Sequence, residues 1–197
     1  LNAMREHDVP EWYIDSCMKI KYMFPKAHAA AYVISALRVG WYKVHRPLEF
    51  YCAYFTARPE DVDVSVILKG RDAVRNYMRE IKAKGKEASP KENAVYNNLL
   101  IFNEMMARGI EILPIDLHKS HAAKYLPEDG KMRLPFGALP GVGVNAAYAL
   151  YEAAGKGNFL SKEEFQIEAG VSKSVIETLN QLGVLNELPD TNQMTLF

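Results

Sequence analysis

Leu139-Pro140-Gly141-Val142-Gly143 runs directly into Val144-Asn145-Ala146-Ala147-Tyr148-Ala149-Leu150, and this junction decides how the C-terminal part of the chain is read. Glycine lets a backbone turn tightly with its N–H groups directed outward. A helix that opens at the second glycine presents its positive end and its first unbonded N–H groups at the same place. Such an arrangement holds a phosphate by backbone alone. It is the pattern of a helix-hairpin-helix, which grips DNA backbone without reading base sequence. An ordinary turn ahead of a helix also contains Gly-x-Gly. Pro140, the immediate helix start and a second copy downstream favour the phosphate reading. The candidate DNA-binding residues here are Leu139, Gly141, Val142, Gly143 and Asn145.

The second copy is Glu168-Ala169-Gly170-Val171-Ser172-Lys173-Ser174-Val175-Ile176, followed by Leu179, Leu182 and Leu185. It lacks one glycine but keeps the register, and it adds Gly170, Ser172 and Lys173 to the DNA-binding candidates. Between the copies, Ser161 and Glu164 form a Ser-x-x-Glu capping box that starts a helix through Phe165 and Ile167. Two such units make a compact domain over residues 136–188, in which Lys156, Lys162 and Lys173 could neutralise phosphates, although each lysine taken singly reads as solvated surface.

Composition bounds the rest. The 197 residues can bury a sizeable core as one large or two small domains. The 24 basic and 24 acidic residues cancel, so a nucleic-acid footprint must be local rather than global. Cys17 and Cys52 lie in apolar helical runs without metal-type spacing and read as buried free thiols of a reducing cytosol. No apolar run reaches the length of a membrane span and no signal peptide is visible. Leu1-Asn2-Ala3 ahead of Met4 reads as a remnant of expression.

The first part of the chain is helical. Helices are expected over residues 11–23, where Pro25 follows, and over 26–45, ahead of Pro47. The second of these is apolar on most faces and so expected to be largely buried. Further helices are expected over 47–56, 70–84 and from the Ser89-Pro90 cap to Gly109, with 85–89 as a flexible link. Ile110-Glu111-Ile112-Leu113 alternates like a strand, and residues 125–134 read as a short hairpin around Asp129-Gly130.

Lys21, Lys26, His28 and Tyr32 form the densest group of chemically active residue types. His28 and Tyr32 are four apart and share a helix face, with Lys26 at the helix start. A cation, an imidazole and a phenol there suit a nucleoside triphosphate, and the same spacing also fits core residues satisfied by local hydrogen bonds. No catalytic constellation accompanies them. Asp61 and Asp63 beside Glu60 read as a solvated connector, and Asp116, His118 and His121 lack a further ligand of convincing spacing. The catalytic and metal sets are therefore empty. At the other end, Gln193, Met194, Leu196 and Phe197 close a polar stretch with an adhesive apolar pair, a peptide suited to a groove on a partner, though the pentapeptide by itself reads equally as a frayed tail.

Taken together these stretches resemble the C-terminal end of the bacterial replicative DNA polymerase III alpha subunit of the PolC type, the C-family enzymes of low-GC Gram-positive bacteria. The resemblance covers residues 4–197. It is carried by VPEWYIDSCMKIKYMFPKAHAAAY, WYKVHRPLEFYCAYFT, ASPKE, LPFGALPGVGVNAA and QMTLF. It implies a mainly α fold with a small β element. Residues 4–112 would be the C-terminal part of the fingers and 113–135 a small β connector. Residues 136–188 would be the tandem helix-hairpin-helix duplex-binding domain, and 189–197 a mobile tail.

The resemblance also implies roles. His28, Tyr32, Lys26 and Lys21 would contact the incoming deoxynucleotide, the hairpins the primer–template duplex, and the tail the sliding clamp. Met194 and Thr195 stand where the family usually has Leu and Ser. The palm carboxylates with their Mg²⁺, and the 3′–5′ exonuclease, lie upstream in the family, so the fragment alone should neither polymerise nor degrade DNA. Other replisome subunits would be partners, and the location cytoplasmic and nucleoid-associated. The competing reading is a stand-alone, non-enzymatic helix-hairpin-helix DNA-binding or scaffold protein.

Overall fold

The computed structural model describes residues 1–20, 25–58, 63–157 and 159–192. The chain divides into two compact units, Leu1–Val44 and His45–Phe197. The second unit contains residues that the sequence divides among fingers, connector and hairpin domain.

The first unit is helical. Helices α1 (Asn2–Glu6) and α2 (Glu11–Lys19) are joined by an Arg5–Glu11 pair, with the Arg5 Nη2 2.5 Å from Glu11 Oε1. Pro10 caps α2, and Ile14 is its buried residue. The helix ends at Lys19 with Ile20 extended, short of the expected residue 23. Helix α3 (Lys26–His45) has the expected limits, but none of its residues is buried. Tyr32, Leu37 and Val44 are each about two-thirds exposed, at 67%, 69% and 67%. The expectation of a largely buried helix is thus overturned. Apolar residues distributed on every face mark what a helix is able to bury, and the surface that would cover them must still be supplied.

The second unit begins with α4 (Pro47–Ala57), which has proline at its favoured first position. Its Phe55 stacks on Phe102 of α7 (Pro90–Ala107), with ring centroids 3.9 Å apart. Burial of Cys52 in the same helix pushes its thiol up to about 12, reinforced by Glu49. Cys17 is only half-buried, so the pair of buried thiols reduces to one. A short helix that the sequence did not announce, α5 (Val64–Leu68), is capped by Asp63, whose carboxylate accepts the Val66 N–H. Helix α6 (Arg71–Ala83) packs on α7.

Residues 85–89, expected to be flexible, instead form a single 3₁₀ turn, Gly85–Glu87. Lys84 and Glu92 form an ion pair across it, and Ser89 and Glu92 complete a reciprocal capping box at the start of α7. Lys84, with help from the Ser89 N–H, holds the Glu92 carboxyl down at about 2.

The small β element has the order β1-β3-β2, with β1 (Ile112–Leu113) parallel to β3 (Lys131–Arg133) and β2 (Leu126–Glu128) antiparallel to it. Asp129 and Gly130 join β2 and β3 with φ of 50° and 79°, the positive pair that a tight hairpin turn demands. Arg133 is buried and donates to both oxygens of Glu128 at 2.7 and 2.8 Å and to the Pro114 carbonyl at 2.7 Å. That fork fastens the hairpin to the end of β1. A 3₁₀ turn (Phe136–Ala138), α8 (Val144–Gly155), α9 (Lys162–Ala169) and α10 (Lys173–Gln181) complete the unit. At the start of the expected tail, the Pro189 and Asp190 carbonyls accept the Lys162 and Glu163 N–H groups. Among the described residues no helix is long and apolar enough to cross a membrane.

Candidate nucleic-acid interface

The first hairpin is anchored before it turns. The Phe136 and Gly137 N–H groups donate to the carbonyls of His121 and Ala122 at 3.0 and 2.8 Å. The Val142 N–H then closes the turn onto the Leu139 carbonyl, at 3.2 Å, with Gly141 at φ +77°. Leu139 and Val142 are buried. Their side chains hold the turn against the core, and what they offer DNA is position rather than contact. Gly143 caps α8 in ordinary extended backbone (φ −72°, ψ 166°), so its conformation does not require glycine. A Cβ there would meet nothing within 4 Å, so the missing side chain leaves room for a ligand.

The second hairpin reaches the same geometry from different residues. Gly170 ends α9 at φ +61°, donating to the Gln166 and Ile167 carbonyls at 3.0 and 3.2 Å. Ser172 then caps α10 at φ −69°, ψ 155°, close to the values at Gly143. The glycine missing from the second copy is therefore structurally unneeded. Serine adopts the conformation without strain.

Both hairpins expose donors. Among the described residues, the N–H groups of Gly141, Gly143, Val144 and Asn145 have no protein acceptor, nor do those of Ser172, Lys173 and Ser174. Gly141, Gly143, Asn145, Gly170, Ser172 and Lys173 are all exposed. Beneath them Ala147, Leu150, Phe165, Leu179 and Leu185 form one buried cluster, which fixes the hairpins in a single packed unit. The backbone donors of Val144 and Ser174 were not among the sequence candidates. The rule that the first turn of a helix leaves its N–H groups open would have found them.

The lysines are less free than their spacing suggests. Lys156 pairs with Glu168 at 2.5 Å and Lys162 with Asp190 at 2.8 Å. Lys173 stands 4.0 Å from Glu177, with its side chain 82% exposed, and keeps most of its reach. Residues 140–144 also line a cleft of about 780 Å³, shared with Asp63, Tyr77, Lys91 and Tyr125.

In the first unit the structure brings His28 and Tyr32 together, ring centroids 4.6 Å apart at 63°, with Lys26 opening the same helix. All three are exposed, which overturns the alternative of a satisfied core pair. Lys21 lies outside the described residues, as do Glu60, Asp61 and the pentapeptide with Gln193, Met194, Leu196 and Phe197. Asp116 and His121 act as turn caps. Asp116 accepts the His118 and Lys119 N–H groups, and His121 Nδ1 accepts those of Ala123 and Lys124. Burial, then Lys124, lowers the His121 pKa, consistent with an unprotonated Nδ1. Among the described residues no three His, Cys, Asp or Glu side chains are grouped to hold a metal.

Comparison with known proteins agrees with this geometry. A family model described as a helix-hairpin-helix motif matches residues 109–195, which takes in the β element as well as both hairpins. The chain is 46% identical over 197 residues to a DNA polymerase III PolC-type of Halalkalibacterium halodurans, covering all of this chain and 14% of the relative. It is 47% identical over 194 residues to the Bacillus subtilis protein of that name, 98% of this chain and 14% of the relative. The Lactococcus lactis protein of that name is 47% identical over 197 residues, all of this chain and 12% of the relative. The chain thus spans only about a seventh of the length of the relatives it matches.

Proposed function

Because the chain belongs, along its whole length, to the family of PolC-type DNA polymerase III, we propose that it is the part of such a replicative polymerase that grips the primer–template duplex. The observation that carries this reading is the pair of hairpins with open N–H groups on one packed core. Each would receive a backbone phosphate, with the helix N-terminus supplying the favourable field. Neither hairpin reads a base, which suits an enzyme that must hold every sequence it copies.

Two finer roles belong to the same proposal. Lys21, Lys26, His28 and Tyr32 contact the incoming deoxynucleotide, the cations facing phosphates and the rings offering a stacking surface. Phosphoryl transfer depends on holding the triphosphate in line, and a fingers segment contributes that positioning. Gln193, Met194, Leu196 and Phe197 attach the polymerase to its sliding clamp, the apolar pair seated in a pocket. Mg²⁺ and the bond-making carboxylates lie elsewhere in the polymerase, and so does any exonuclease.

The test removes single donors without unfolding a helix. Val144 and Lys173 are the first residues of α8 and α10, where proline is tolerated and its missing N–H breaks no intrahelical bond. Val144→Pro should weaken duplex binding about tenfold or more, the loss of one charge-assisted hydrogen bond of ~1.5–3 kcal/mol. Lys173→Pro should do the same beyond the effect of Lys173→Ala. Unchanged affinity in both proline variants, with melting temperatures retained, would sink the reading.

A further inference from the structure

Helix α6 carries a second charged surface. At 3.6 residues per turn, Arg71, Arg75, Arg79 and Lys82 fall within about 80° of one another around the helix and span roughly 16 Å of it. All four are exposed. Among the described residues none forms an ion pair: Arg71 Nε donates to Asn103 Oδ1 at 3.1 Å and Arg79 Nη1 to Asn76 Oδ1 at 2.9 Å. Those partners are neutral amides, which orient the guanidinium groups and leave their charge in place. Asp72 borders the stripe, three residues before Arg75, and makes no ion pair with it, and Glu80 lies off the stripe. The contrast is with Lys84, at the end of the same helix, which is paired with Glu92. In a chain of zero net charge, four adjacent uncompensated cations are a local excess that something else must meet.

We infer that this face of α6 binds a nucleic-acid phosphate backbone outside the segment held by the hairpins. This inference rests on the duplex-binding reading for its partner. Three further observations favour that partner. Three of the four cations are arginines, whose planar fork fits phosphate oxygens two at a time. They recur about once per turn, roughly every 5.4 Å, a linear array of charge of the kind that displaces counterions from a strand. The apolar side of α6 is already consumed, with Val74 and Ile81 buried in the core, so the helix has no face left to lay into a membrane. Tyr77, which lines the hairpin cleft, lies on the far side of α6 from the stripe, roughly 160° around the helix. The two surfaces therefore meet different stretches of backbone.

The experiment measures binding of the 197-residue chain to a short blunt DNA duplex across a salt series. It compares wild type with the triple variant Arg75→Ala/Arg79→Ala/Lys82→Ala and with Val144→Pro. Alanine is a strong helix former, so the triple variant should keep its helicity and melting temperature. The expected result is a fall of roughly 2–3 in the slope of log K against log salt, about 0.9 for each lost phosphate contact. An unchanged slope in the triple variant overturns the inference and leaves a solvated face or a site for an acidic protein. If Val144→Pro then still weakens binding, the hairpin reading survives. A lowered slope in the triple variant beside an unaffected Val144→Pro reverses that, keeping α6 and removing the hairpins.

Discussion

The two hairpins differ more in sequence than in backbone. The first is entered from a 3₁₀ turn and reads Gly-Val-Gly, and the second is entered from a full helix and reads Gly-Val-Ser. Each places one glycine at positive φ, +77° or +61°, then a cap residue in extended backbone, then a helix with open donors. The copy that looks weaker in sequence is the one with a complete helix on both sides. What the two hold in common is a conformation, and that conformation needs one glycine rather than two. The side chains distinguish them afterwards. The first offers Val144 at its helix start and the second offers Lys173, so any charge contributed by a hairpin residue comes from the second.

If the hairpins form one unit, damage beneath either must reach both. Phe165 is fully buried, 5.0 Å from Phe159 and in the cluster that also contains Leu150 and Leu179. Phe165→Ala should cost about 3–5 kcal/mol, the usual cost of emptying a buried aromatic site. In thermal melts it should act as one transition. In hydrogen exchange, protection of α8 and α10 should fall together. Protection lost in α10 alone would make the hairpins two independent modules and end the comparison as one of equals.

A smaller effect tests the shared glycine. A Cβ on Gly141 or Gly170 meets nothing within 4 Å, so alanine there is opposed only by the left-handed backbone. Gly141→Ala and Gly170→Ala should each cost about 1–2 kcal/mol of stability, read from denaturant midpoints. Equal costs, with similar losses of duplex affinity, would sharpen the equivalence. A variant that loses affinity while its counterpart does not would show that one hairpin does most of the gripping.

The pattern of what could be read from sequence follows from which forces are local. Proline and capping signals set the limits of α3, α4 and α7, and Asp129-Gly130 announced the β turn, because each is decided within a few residues. Helix α5 was missed because it is too short to show a period, and its signal is the single Asp63 cap. The burial expected of α3 failed for a different reason. Periodicity reports what a helix can bury, and covering it depends on residues distant in the chain. The site divides in the same way: the hairpin glycines were legible from residue type, whereas the open N–H groups of Val144 and Ser174 follow only from where each helix starts, not from the residues themselves. The basic stripe on α6 was present in the spacing of Arg71, Arg75, Arg79 and Lys82. It became notable only once the structure showed those four unpaired beside lysines that are paired.

That pairing supplies the finest test of the two hairpins. Lys156 ends α8, yet its partner Glu168 lies two residues before Gly170, so the ion pair stands beside the second hairpin. Both side chains are well exposed, 64% and 41%, and an exposed pair of this kind contributes little to folding. Glu168→Gln should therefore leave the melting temperature nearly unchanged while releasing a cation at the second hairpin. Duplex binding should tighten by less than about fivefold at low salt, and the salt slope should steepen by about 0.9 for one added phosphate contact. The same change should rescue part of the affinity lost in Lys173→Ala, where the second hairpin has lost its own charge. In Val144→Pro, whose missing donor lies at the first hairpin, it should tighten binding only by the factor seen without that substitution, because separate sites add. A larger gain in Lys173→Ala than in Val144→Pro would place the freed Lys156 charge on the phosphate that Lys173 serves, and equal gains would mean that Lys156 acts independently of Lys173.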